Sequence, residues 1–239
     1  MSVNIMRKSI AIIIARGGSK RIPRKNIKEF CGKPIISYSI QTALESGIFD
    51  EVMVSTDDME IAEVAKAYGA IVPFMRSEQT ASDFATTTDV IQEVLRMYSD
   101  IQSKKFNFFC SIYPTAPLLN FRHLQTAEKI VKSGAADAVV AVSRFSFPPQ
   151  RAFIEKEGMV NYKWEEHRYT RSQDLEIMYQ DAGQFNFGNT TVFEQEKTLI
   201  MKRTAPIILS ELEVQDIDNE TDWKLAELKY ELLQNSIEG

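Results

Sequence analysis

Residues 10–26 (IAIIIARGGSKRIPRKN) constrain the fold more than any other stretch of the chain. The first six, Ile10 through Ala15, are apolar without interruption, and Gly17-Gly18 closes the run. A run this short and β-branched has no polar face, so it reads as a strand covered on both sides, as in a parallel sheet. Parallel strands require crossover connections, which are usually helices. The chain is therefore expected to alternate strand and helix, giving an α/β fold. Pro34 opens a helix carrying Ile35, Ile36, Ile40 and Leu44 on its apolar face, and Gly47 ends it. Residues 51–56 follow as a second buried strand. Asp58 caps a helix with Ile61, Val64, Ala65 and Tyr68 at helical spacing. A short strand over 71–75, a helix over 87–103, a strand over 106–113, a helix over 121–133 and a strand over 136–142 continue the pattern. Late strands are expected over 207–209 and 214–218. A final helix over 220–235 would pack through Trp223, Leu225, Leu228 and Leu232.

The chemistry is concentrated just after the first strand. Arg16, Lys20, Arg21, Arg24 and Lys25 place five cations within ten residues. They lie at the carboxyl end of that strand, where open α/β sheets bind their ligands. Gly17 and Gly18 can take positive φ and let backbone N–H groups approach a ligand closely. Bare amides with clustered Arg and Lys suit a polyphosphate. The loop is neither G-x-G-x-x-G nor G-x-x-x-x-G-K-[ST]. The formal net charge of the 239 residues is −5, so the basic loop is local, which argues against a nucleic-acid binder. No apolar run approaches a membrane span and the first residues carry no signal-peptide stretch, so a cytoplasmic protein without membrane contact is expected. Cys31 and Cys110 are expected to be reduced core thiols. His123 and His167 alone offer little material for a histidine metal site.

Four further stretches stand out. Residues 77–88 are polar and long for a structureless loop, which suggests function. Asp57, where a strand ends, reads either as a metal ligand or as a cap. Pro114-Thr115-Ala116-Pro117 makes a rigid turn at the same sheet end as the glycine loop. Residues 143–180 mix aromatic and basic side chains around a Glu157-Gly158 hairpin turn and form an excursion from the single domain of residues 1–239. Near the end, alternation would turn Asp216 and Asp218 to one face. Paired carboxylates repel unless a cation holds them, and Mg²⁺ accepts one or two carboxylates plus phosphate oxygens. Asp218 could equally cap the last helix.

Arg16-Gly17-Gly18-Ser19-Lys20 with Lys25-Asn26, the Arg76 and Ala81-Ser82-Asp83 segment, Pro-Thr-Ala-Pro, Asp181-Ala182-Gly183-Gln184-Phe185 and Asp216-Ile217-Asp218 occur in the order found in the acylneuraminate cytidylyltransferases, the family of the CMP-sialic acid synthetases. The chain resembles that family over nearly its whole length, and its wording is most like the pseudaminic acid branch. The resemblance implies a three-layer, Rossmann-like, mixed and mostly parallel sheet of the nucleotide-diphospho-sugar transferase type. It implies CTP and a nine-carbon 2-keto (nonulosonic) sugar acid as substrates, Mg²⁺ as cofactor, and a homodimer built through residues 143–180. It implies that Arg16, Gly17, Gly18, Ser19, Lys20, Lys25 and Asn26 hold the triphosphate, with Arg76, Ser82 and Thr87 around the base and ribose. Tyr113, Arg171 and Gln184 would face the sugar acid, and Asp216 and Asp218 the metal. Arg16, Lys25, Asp216 and Asp218 would form the catalytic set. Tyr113 stands where the sialic acid branch has Gln, and Asn186-Phe187-Gly188 where Tyr-Trp-Gly is expected. CMP-sialic and CMP-legionaminic acid synthetases, the enzyme for an eight-carbon keto acid, and a non-catalytic nucleotide binder on the same fold are the alternatives.

Overall fold

The computed structural model describes residues 8–19 and 21–235. Lys20, one of the five loop cations, lies outside the described residues. In chain order the main strands are β1 (Ser9–Ile14), β2 (Glu51–Ser55), β3 (Phe108–Ile112), β4 (Ala138–Arg144), β5 (Phe153–Lys156), β6 (Met159–Tyr162), β7 (Tyr179–Asn189) and β8 (Thr204–Leu209). The helices are α1 (Ile35–Glu45), α2 (Met59–Ala67), α3 (Glu78–Ala81), α4 (Thr87–Gln102), α5 (Phe121–Lys132), α6 (Thr190–Glu196) and α7 (Glu220–Asn235). Six strands form one sheet in the order β8-β4-β7-β3-β1-β2. β1 runs parallel to β2 and β3, and β8 parallel to β4. Only β7 opposes its neighbours, β3 and β4. The sheet is thus mixed and mostly parallel.

Burial on both faces follows from the alternation along β1. Ile10 and Ile12 pack with Val90, Ile91 and Val94 of α4 and Phe193 of α6. Ala11 and Ile13 point the other way, into Ile36 and Ile40 of α1 and Ile61 and Ala65 of α2. Helices therefore cover both faces, completing three layers. Each fully buried isoleucine contributes roughly 1.5–3 kcal/mol relative to exposure. A smaller cluster joins Ile22, Phe30, Ile35, Tyr38, Ile217, Trp223 and Ala226. It ties the basic loop to the segment before α7, with Phe30 edge-on to Trp223 at 5.6 Å between ring centroids.

Several elements differ from the sequence reading. β7 and α6 were not anticipated, because residues 179–189 mix Gly, Asp, Asn and Gln, which are poor strand signals. The strand forms because it fills the space between β3 and β4, where Phe185 and Phe187 are fully buried. Residues 71–75 form no strand; only Ile71 bridges Met53. Residues 214–218 are irregular and follow a single 3₁₀ turn, Glu211–Glu213. On α7, Trp223 and Ala226 face inward, while Leu225, Leu228 and Leu232 lie on the exposed side. Cys110 is buried, but Cys31 is exposed in a turn at φ 44°. The β5–β6 hairpin turns at Glu157 and Gly158, both at positive φ, as a two-residue turn of this hand requires.

Gly188 sits mid-sheet where an added Cβ would lie 2.8 Å from Cζ of Phe109. That ring is fully buried and packs on Phe193 at 4.7 Å, so it has little room to yield. Gly188→Ala is expected to lower stability by about 1–3 kcal/mol, the usual range for overpacking. Urea unfolding measures it, and an unchanged midpoint would show that the core is looser than the contacts indicate.

Candidate active site

β1 carries Arg16 to Ser19 to the carboxyl end of the sheet, where the Ala15 N–H donates to the Ser55 carbonyl at 3.0 Å. Neither Gly17 nor Gly18 is in the left-handed region. Gly17 is needed for space: its N–H donates to Asp57 Oδ1 at 3.0 Å, and a Cβ there would lie 2.7 Å from Asp58 Oδ2. Asp58 caps α2 by accepting from the N–H groups of Glu60 and Ile61. It also takes the guanidinium of Arg24, which reaches Glu60 as well. Arg24 holds the Asp58 carboxyl below the usual carboxylate range, aided by the two backbone donors and opposed by burial. Arg24 itself sits at φ 55°, a left-handed turn that a bulky residue adopts only when held there.

That turn delivers Lys25 and Asn26 inward. Buried Asn26 donates Nδ2 to the Arg16 carbonyl at 2.8 Å, closing the loop on itself. Lys25 donates Nζ to the Ile217 carbonyl at 2.6 Å. Burial lowers the Lys25 pKa, while Asp218 and Asp216 oppose that shift and Arg21 and Arg16 add to it. Arg21 pairs with Asp218 at 2.5 Å, and Arg16 with Asp83 at 2.6 Å. Ile217 is buried in the Phe30–Trp223 cluster, so its two acidic neighbours are held beside the loop although no strand aligns them.

Two open cavities share this boundary. One, of about 570 Å³, is lined by Arg16, Ser19, Arg21, Lys25, Asn26 and Tyr113. The other, of about 510 Å³, is lined by Arg144, Asp181, Gln215, Asp216, Asp218 and Lys229. The Arg21–Asp218 pair joins a wall of one to a wall of the other. Tyr113, at the end of β3, donates its N–H to the Gln184 carbonyl at 2.9 Å. Burial raises its phenol pKa, and Asp181 and Asp216 add to the rise.

The remaining candidates stand further out. Arg76 is buried, with Nε donating to Ser55 Oγ at 3.1 Å, and burial lowers its pKa. Exposed Ser82 donates to the Gln79 carbonyl at 3.0 Å, and Thr87 begins α4 behind the Thr86 cap. Gln184 is buried, with Nε2 on the Glu213 carbonyl at 2.6 Å. Arg171 is exposed on the excursion and paired with Asp174 in its own turn. Sequence reasoning named Asp83 within its segment but not its pairing with Arg16, and it passed over the second role of Asp58 and Glu93. Glu93 is buried and accepts from the Ser77 N–H and the Thr80 hydroxyl, which pins residues 77–80 to α4. Its signal was available: a lone Glu between Ile91 and Val94 on the apolar side of that helix.

A sequence model of the family described as Cytidylyltransferase matches residues 10–235, which takes in both the loop and the aspartate segment. The chain belongs to the cytidylyltransferase family. It is 42% identical over 230 residues to a pseudaminic acid cytidylyltransferase of Campylobacter jejuni, covering 96% of this chain and 99% of that one. It is 34% identical over 239 residues to a CMP-N,N'-diacetyllegionaminic acid synthase of Legionella pneumophila, covering 95% and 98%. The solved structure of a CMP:2-keto-3-deoxy-manno-octonic acid synthetase complexed with CTP superposes with a TM-score of 0.66 at 18% identity, covering 95% of this chain and 99% of that one. That likeness shows the fold, a mixed and mostly parallel sheet covered by helices as described above.

Asp58→Asn keeps a capping side chain but removes the charge that meets Arg24. The Asp58 carboxyl is depressed in the folded state, so the wild type's advantage is full above the unfolded value of about 3.9 and is lost as pH falls through the lower folded value. At neutral pH the variant is expected to lose about 1 kcal/mol, discounted for partial exposure. Denaturation of both proteins from pH 7 to 3 checks this; a gap that shows no narrowing below about pH 4 would contradict it.

Proposed function

We propose that this cytidylyltransferase moves CMP from CTP to the anomeric hydroxyl of pseudaminic acid, giving CMP-pseudaminic acid and pyrophosphate. The observation that carries the reading is the contact of Lys25 with the Ile217 carbonyl, which sets a cationic loop against two carboxylates in one cleft. Phosphoryl chemistry of this kind needs positioning and charge stabilisation more than a covalent nucleophile. The choice of sugar acid rests on the Campylobacter jejuni relative, identical at 42% of positions over nearly the full length of both chains.

In this reading the triphosphate lies in the first cavity against Arg16, Gly17, Gly18, Ser19, Lys25 and Asn26. The base and ribose lie towards Arg76, Ser82 and Thr87. The sugar acid enters the second cavity past Tyr113, and its hydroxyl oxygen bonds to the α-phosphorus as the bridge to the β-phosphate breaks. The hydroxyl proton passes to solvent water, and pyrophosphate leaves on the loop side. Arg16 and Lys25 spread the charge that builds on the leaving group. Asp216 and Asp218 are hard oxygen donors that fit Mg²⁺ when phosphate oxygens complete its shell. When bound, that ion would neutralise phosphate charge and raise the electrophilicity of phosphorus. Gln184 supports the sugar side by fixing the Glu213 backbone. Arg171 offers a guanidinium suited to a sugar carboxylate.

Residues 143–180 leave Phe147, Phe153, Met159, Val160 and Tyr169 well exposed. We read them as an arm that covers a second copy of the chain in a homodimer, since aromatic and apolar anchors of this kind favour interfaces. No helix among the described residues is long and apolar enough to cross a membrane. A cytoplasmic setting fits an enzyme that draws on CTP.

Pyrophosphate release with CTP and Mg²⁺ is expected with pseudaminic acid and not with sialic or legionaminic acid. Turnover of another acid would keep the chemistry and overturn the sugar; silence with all three, by a protein that binds CTP, would favour a non-catalytic nucleotide binder. Lys25→Ala should lower kcat/KM by at least about 100-fold, the scale of one lost charge-stabilising donor. Val160→Asp on β6 is expected to yield monomers in sedimentation, and an unchanged species would remove the arm from the interface.

A further inference from the structure

We propose that Arg21 is the resident counter-ion of Asp218, which the nucleotide phosphates draw off before a divalent cation settles on the aspartates. Metal affinity would then depend on whether nucleotide is present. The inference rests on the reading of Asp216 and Asp218 as metal ligands and concerns what holds that site between turnovers.

The guanidinium of Arg21 reaches Asp218 Oδ2 at 2.5 Å across 197 positions of sequence. Beside it, Lys25 holds the intervening carbonyl of Ile217. The protein thus supplies its own cations to the segment that would receive a metal. Asp222 adds a further carboxylate, accepting from the Asp218 N–H at 2.9 Å, so the local charge needs both cations. A guanidinium and a dication on the same carboxylate compete for it and repel each other, so each weakens the other's hold.

Exchange is cheap on the arginine side. The Arg21 side chain is 70% exposed, and its neighbour Ile22 is buried, so the side chain can swing without moving the backbone. An exposed ion pair contributes little, whereas a triphosphate offers several charge-assisted acceptors. Arg21 also lines the first cavity, within the wall that would face the phosphates. Nucleotide binding would therefore pull Arg21 from Asp218 and expose the carboxylate, coupling the two ligands in the reciprocal sense that linkage demands.

Mn²⁺ binding followed by the electron-paramagnetic signal of the free ion tests this. Without nucleotide, Arg21→Ala is expected to bind Mn²⁺ about five-fold more tightly than wild type, the scale of one exposed ion pair. Arg21→Lys, which keeps the charge, should stay near wild type, and circular dichroism confirms that both variants fold. Equal or weaker Mn²⁺ binding by Arg21→Ala would overturn the proposal. Asp218→Asn separates the two readings. If it abolishes the Mn²⁺ binding induced by a non-hydrolysable CTP analogue, the metal assignment stands and the Arg21 result is decisive. If it leaves that binding intact, the metal assignment fails and the counter-ion proposal fails with it.

Discussion

The hydrogen bond from Lys25 Nζ to the Ile217 carbonyl is the contact on which the site depends, because it joins the beginning of the chain to its end across 192 positions. Neither partner lies in an α-helix or a sheet strand; Lys25 opens a single 3₁₀ turn, Lys25–Ile27. Lys25 follows a left-handed turn at Arg24, and Ile217 lies in an irregular segment. Each is instead fixed by its neighbours: Arg24 by Asp58 and Glu60, Ile217 by Ile22, Phe30 and Trp223. Half-burial of an ammonium costs free energy, which the two nearby carboxylates offset only in part, so the Lys25 pKa stays lowered. The result is an ammonium held at the wall of the first cavity, beside the aspartate segment.

The sheet makes this meeting possible. β7 runs against its neighbours and separates the β2-β1-β3 half from the β4-β8 half, which places the ends of β1 and β3 beside the chain that follows β8. Ligands in open α/β sheets collect at the carboxyl ends where the strand order reverses; β1 is followed by β2 on one side and β3 on the other, and the first cavity opens between the ends of β1 and β3, with the second beside it at β4 and β7. Beneath the loop, a second set of contacts positions its backbone. Asp57 holds the Gly17 N–H, and Asp58 occupies the space a side chain at Gly17 would need.

Much of this was legible in the sequence, and unevenly. β1 and its cations could be read because an all-apolar run has few alternatives, and the cap at Asp58 follows a local rule. β7 was hidden because its strand state comes from being enclosed by β3 and β4, a tertiary effect that overrides the poor propensity of Asp181, Gly183 and Asn186. Gly17 shows a subtler case. Its small size was legible, but conformational freedom was the wrong reason for it; the Asp58 carboxylate is the right one, and that contact spans 41 positions. The aspartate segment was found through its residue types, while the strand assigned to it does not form. A buried Ile217 does the aligning that strand alternation was expected to do.

The most direct measurement is a crystal structure of the protein with CTP and Mg²⁺. The account predicts the triphosphate between the Arg16–Ser19 loop and the Asp216–Asp218 segment, with Lys25 on the phosphates. A nucleotide bound elsewhere, as in the cavity of about 400 Å³ between α1 and α7, would contradict it.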